Sequence, residues 1–124
     1  MVTQDMLVVL VMGDPGRRAL LAARLSLAGH PLVTAGALSG DLLDSLFVRH
    51  PAALVVDEAD IPGDVDAWIA RIHDDTRWFQ LAIMSAGADG TKHHPWGARV
   101  AHRAVLEDVL AHWRDTVPPI STNP

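Results

Sequence analysis

The sequence predicts an α/β domain, one parallel sheet with helices on both faces. Three observations predict it. Apolar runs of strand length recur along the chain and are continuous rather than alternating, the pattern of strands covered on both faces. Segments with helical apolar spacing stand between them, and strands alternating with helices build parallel sheets. Capping and turn residues mark the joints.

The elements follow in order. "MLVVLVM", residues 6–12, is the first strand. In "GDPG", Asp14 and Pro15 read as an N-cap followed by proline at the first helical position. "RRALLAARLSLAG" places Leu21, Leu25 and Ala28 on one stripe, with Leu20 and Leu27 beside it, and Gly29 stops the helix. "PLVTA" is the second strand. Ser39 caps "GDLLDSLFVRH", where Leu42, Leu43, Leu46 and Phe47 share a face. "AALVVD", residues 52–57, is a third buried strand. "DVDAWIARIHDD" is a helix with Val65, Trp68, Ile69 and Ile72 inward, and "FQLAIMSA" is the fourth strand. "GADGTKHHPWG" reads as a loop by its Gly and Pro content. "ARVAH", residues 98–102, is read as a fifth strand, and "RAVLEDVLAHW" as the last amphipathic helix. Trp68 and Trp113 suit the core, whereas Trp78 and Trp96 fall in loops and are the interface candidates. The expected domain spans 1–115, and 116–124 form a flexible polar tail.

Composition narrows the function. A chain of 124 residues with 49 % hydrophobic residues is one domain with a real core. The net charge of -5 and the scatter of nine Arg and one Lys leave no basic footprint for nucleic acid. Without cysteine there is no disulfide, thiol nucleophile or thiolate metal site. The apolar run Met6 to Met12 is too short to span a bilayer, and the N-terminus lacks a signal-peptide pattern. A soluble, cytoplasmic protein is expected, with no membrane or nucleic-acid partner. The sequence does not tell a whole protein from a piece of a longer one, though the starting Met and polar tail lead one to expect the former.

Parallel sheets present function at the carboxyl ends of their strands. Met12, Gly13 and Asp14 stand there after the first strand, Asp57, Glu58 and Asp60 after the third, Ser85 after the fourth, and His102 and Arg103 after the fifth. This is an acidic corner with a hydroxyl and a basic group nearby. "GDPG" lacks the Lys and Ser/Thr of a phosphate-binding P-loop and offers few donors to a nucleotide or flavin. No serine sits in a nucleophile elbow, so no enzyme activity is expected. His93 and His94 are adjacent, without a third metal ligand at suitable spacing.

The order of elements and these end residues resemble the response-regulator receiver domain over about residues 6–115. "VMGDPGRRALL" matches the shape of that family's first strand and helix start, but Met12 and Gly13 occupy its two acidic positions. "HPAALVVD" is similar to the segment that ends in the family's phosphoacceptor, which points to Asp57. "DIPG" resembles the motif that follows the acceptor, and counting back from Pro62 lands on Glu58 instead. Asp57 is preferred, because burial sets strand register and loops absorb insertions. Ser85 falls on the family's Thr/Ser, and His102 or Arg103 stands where the family has Lys-Pro.

The resemblance implies a flavodoxin-like fold, a five-stranded parallel sheet of order 2-1-3-4-5. The helix the family places between its fourth and fifth strands is expected to be shortened or missing, since only 16 residues separate Ser85 from His102. It also implies a degenerate, pseudo-receiver signalling module of a two-component or phosphorelay type. Such a module acts mainly by protein–protein interaction, with phosphorylation lost or weakened. Its partner is another signalling protein or a second copy, with Trp96 the interface candidate. The alternative is a phosphorylatable receiver using Asp57, which alone would call for Mg²⁺, with Asp14 and Asp57 as weak candidate ligands. A second alternative is a small flavodoxin-like ligand-binding domain.

Overall fold

The computed structural model describes residues 7–46, 49, 51–76, 78, 81–87 and 100–116. Four strands form one parallel sheet: β1 (Val8–Val11), β2 (Leu32–Ala35), β3 (Ala53–Asp57) and β4 (Ala82–Ala86). Their order is β2-β1-β3-β4, which is compatible with a flavodoxin-like fold. Registers pair Val8 with Leu32 and with Ala53, and Ala53 with Ala82. The helices are α1 (Pro15–Leu27), α2 (Gly40–Leu46), α3 (Val65–His73) and α4 (Val100–Thr116), and a 3₁₀ turn (Glu58–Asp60) follows β3.

Every residue of β1, β3 and β4 is buried, as the continuous apolar runs require. Alternation along the strands divides the core into two layers. Val8, Leu10, Val55 and Met84 meet Leu21 and Leu25 of α1 and Leu106, Val109 and Trp113 of α4. On the other face Val9, Val11, Leu54 and Ile83 meet Leu46 of α2 and Val65, Ile69 and Ile72 of α3.

Three of the helix boundaries are set by residues that sequence reading picks out, Asp14, Gly29 and Ser39, and a fourth by Asp64. Asp14 accepts from the amides of Gly16 and Arg17, and Pro15 follows as the first helical residue. At the other end of α1, Gly29 has φ 94°, and the amides of Gly29 and His30 donate to Ser26 O and Leu25 O. These two bonds close a Schellman motif, which needs a left-handed residue at this position. Ser39 Oγ accepts from Leu42 N at the start of α2, and Asp64 from Ala67 N at the start of α3.

Several expectations are corrected. The segment expected as a fifth strand does not form one, because Val100, Ala101 and His102 open α4. That segment has a single β-branched residue and two alanines, so it is better helix than strand material. Trp78 is not a loop residue at the surface; it is 4 % exposed and belongs to the α2/α3 layer. Trp68 packs against the α2/α3 layer as expected but is only half-buried, and Ala28 is exposed. The last helix continues past Trp113, its expected end, through buried Thr116. Trp96, the expected shortened helix, Phe47 and the tail from 117 lie outside the described residues.

The direction of α4 is the largest departure from the resemblance. Arg24 on α1 pairs with Asp115 at 2.8 Å, and His30 beyond the end of α1 pairs with Asp108. Later residues of α1 therefore meet earlier residues of α4, so the two helices are antiparallel. Since α1 returns from the top of β1 to the bottom of β2, α4 runs along the strands rather than against them. A final helix entered from a fifth parallel strand would run the other way.

Burial predicts two opposite mutational outcomes. Leu10→Ala, at a fully buried central-strand position, should lower unfolding free energy by about 2–5 kcal/mol. Leu27→Ala, where the side chain is 90 % exposed, should stay within about 0.5 kcal/mol of the parent. Urea titration of both variants measures the contrast.

Candidate functional site

Polar groups collect where β1 and β3 end. Asp57 closes β3 as its last residue and is 5 % exposed. Alternation turns its side chain to the α1/α4 face, the side of Ala53 and Val55. Glu58 begins the 3₁₀ turn and is half-buried. Asp57 is thus the strand-end residue, and Glu58 stands in the turn that precedes "IPG".

Asp57 has two partners. Its Oδ1 accepts from Ala59 N at 3.0 Å, which caps the 3₁₀ turn. Its Oδ2 lies 3.5 Å from Nη1 of Arg17, whose side chain is 16 % exposed. The Arg17 guanidinium carbon sits 5.2 Å from the ring centroid of Trp113, a cation–π distance. Trp113 is fully buried and donates from Nε1 to Gly87 O at 2.9 Å, just beyond β4. One side chain from α1 thus joins the end of β3 to α4, and the indole of α4 is tied to the end of β4. Arg17 Nε and Nη2 are buried without hydrogen-bond acceptors, so the cation is held by Asp57, the indole face and packing.

Arg18, the next residue, also turns into the corner. Its Nη1 donates to Met12 O at 2.8 Å. The absence of a side chain on Gly36 leaves it room, since a Cβ there would stand 3.0 Å from Nη1. Met12 itself is fully buried in the α1/α4 layer.

Two carboxylates of the neighbouring loops, Asp14 and Asp60, are committed to backbone amides. Asp14 is the N-cap of α1, as the Asp-Pro pair predicts. Asp60 Oδ2 accepts from Gly13 N at 2.7 Å and bridges the loop after β1 to the turn after β3. A Cβ on Gly13 would stand 2.7 Å from Asp60 Oδ1, so glycine is what permits this approach. Among the described residues no three His, Asp or Glu side chains are grouped to hold a metal ion. Mg²⁺ needs carboxylate oxygens to converge, and here the central carboxylate already faces a guanidinium that repels a second cation. These residues do not fit Mg²⁺.

The structure brings only part of the expected set together. Asp57 and Asp14 stand at the corner. Ser85 is fully buried and lies beside Val56 in the β3–β4 register, on the face opposite Asp57. Its Oγ has no hydrogen-bond partner, so no bond joins it to Asp57. His102 and Arg103 do not follow a fifth strand; they fall in the first turn of α4, and their side chains lie outside the described residues. Arg17 and Arg18 are the residues that sequence reasoning missed. A signal was present, since two arginines in the first turn oppose the helix dipole and call for another reason to be there.

No protein-family model matches the chain, and no curated protein matches it. The fold and corner define an α/β domain with a four-stranded parallel sheet and an arginine-paired strand-end aspartate.

Two measurements check this geometry. A double-mutant cycle of Arg17→Ala and Asp57→Asn should return a coupling energy of about 1–3 kcal/mol, with Arg17→Ala alone the costlier step because it strands a buried carboxylate. Gly13→Ala should cost about 1 kcal/mol by displacing Asp60 from the Gly13 amide. Asp60→Ala combined with Gly13→Ala should add little to either change.

Proposed function

We propose that this chain is a receiver-like signalling module that works by protein–protein contact, with acyl-phosphate chemistry at Asp57 lost or weakened. The observation that carries the reading is the Arg17–Asp57 pair. A strand-end aspartate of the kind the receiver resemblance calls for is present, and an internal guanidinium lies 3.5 Å from its Oδ2. Met12 and Gly13 supply no carboxylate, and Asp14 and Asp60 are engaged with backbone amides. Asp57 is thereby charge-paired from within the chain, without calling on a metal or a phosphoryl group.

The outward face of α1 supports a contact role. Gly16, Ala19, Leu20, Ala23, Ser26 and Leu27 are exposed and uncharged, and Leu20 and Leu27 are 49 % and 90 % exposed. The arginines of the same helix are drawn off this face by Asp57, Met12 O and Asp115. Residues of this kind on one helix face suit another protein surface better than water. This surface replaces Trp96 as the contact to test first. No described helix is long and apolar enough to cross a membrane.

The test is incubation with Mg²⁺ and acetyl phosphate, followed by intact mass at neutral pH. The expected result is no phosphoryl adduct in the parent protein under conditions that label a conventional receiver. A stoichiometric adduct that disappears in Asp57→Asn would overturn the reading and favour a phosphorylatable receiver.

A further inference from the structure

On the sheet face away from Asp57, α2 and α3 do not close completely over the core. Between them is an open groove of about 240 Å³. Its floor is Ile72 and Trp78, both buried, and its walls are Leu38, Leu43 and Trp68, all half-buried. Ser39, Gly40 and Arg71 form an exposed rim. Two indoles and three aliphatic side chains present flat apolar surface, which suits an aromatic ring better than a flexible chain.

The charge on the groove narrows the ligand further. Arg71 is exposed and has no ion pair among the described residues. The lining also contains one carboxylate, Asp75, so its formal charge is balanced. Asp75 has an interaction of its own, so the guanidinium of Arg71 is what is left to a ligand: one cation suits a single negative charge and not a polyphosphate, which wants several. The volume lies just below that of sites for drug-sized molecules, so the ligand is smaller than those. We propose that the α2/α3 groove is a binding site for a small planar aromatic carboxylate, its ring between the Trp68 and Trp78 side and Leu43, its carboxylate on Arg71. This site is separate from the Asp57 corner and does not depend on the signalling reading.

The probes are naphthalene-2-carboxylate and its neutral analogue naphthalene-2-carboxamide, titrated into ¹⁵N-labelled protein. The expected result is a saturable shift of the Trp68 and Trp78 indole N–H signals with the carboxylate, while that of buried Trp113 stays in place. The carboxamide should bind about tenfold more weakly, the loss of one charge-assisted contact. Arg71→Gln should bring the carboxylate down to the carboxamide's affinity. Gly40→Leu should abolish binding of both without lowering thermal stability, because a Cβ at Gly40 meets no atom within 4 Å. Equal affinity for the two probes would reduce the site to an apolar patch and overturn the proposal. So would shifts confined to other residues, or none at the solubility limit.

Discussion

Both faces of the sheet are covered, and this constraint organises everything else in the molecule. With β1, β3 and β4 buried along their whole length, polar groups leave the sheet only at strand ends. Asp57 is such a group, placed one residue beyond the apolar run of β3 and still almost fully buried. A carboxylate in that position needs compensation, and it is met by a backbone amide on one oxygen and a guanidinium on the other. The cation in turn rests on the indole of Trp113. The corner is therefore a consequence of covering the sheet, with α1 and α4 held together through the group that β3 could not bury alone.

The direction of α4 follows from the same requirement. The α1/α4 layer has to be filled beside α1, and Val105, Leu106, Val109, Leu110 and Trp113 supply the apolar side chains. Either helix direction would bury that stripe. The antiparallel direction adds the Arg24–Asp115 and His30–Asp108 pairs and puts Trp113 under Arg17. The surface pairs contribute little singly, since exposed ion pairs are worth about 0–1 kcal/mol. The indole, fully buried and bonded to Gly87 O, is the stronger determinant of where the helix settles.

The two faces of the sheet differ in how fully they are sealed. On the α1/α4 side the longest helices lie over the strands. On the other side α2 has seven residues and α3 has nine, and the space they leave is walled by tryptophan. Trp78 fills the floor of that space from the segment before β4, which is why it is core rather than surface. An arginine-paired strand-end aspartate and a separate apolar groove thus coexist on opposite sides of one sheet.

The sequence by itself determined much of the local structure: four of its five expected strands, the helix starts at Asp14 and Ser39, the stop at Gly29, and the place of Asp57 at the end of β3. These features rest on periodicity, capping and backbone conformation, which act over a few residues and are written in them. Tertiary structure alone decided which carboxylates converge. Asp14, Asp57 and Asp60 look like one acidic cluster along the chain, yet Asp14 caps its own helix while Asp57 and Asp60 are drawn to different donors across the fold. It also decided that "ARVAH" feeds a helix, that Trp78 is buried, and that Arg17 reaches Asp57. Those outcomes depend on partners 26 to 47 residues away or more, as in Trp113 to Gly87 and Gly13 to Asp60. Such long-range pairings are set by how whole layers pack, and neither spacing nor propensity within a short segment encodes them.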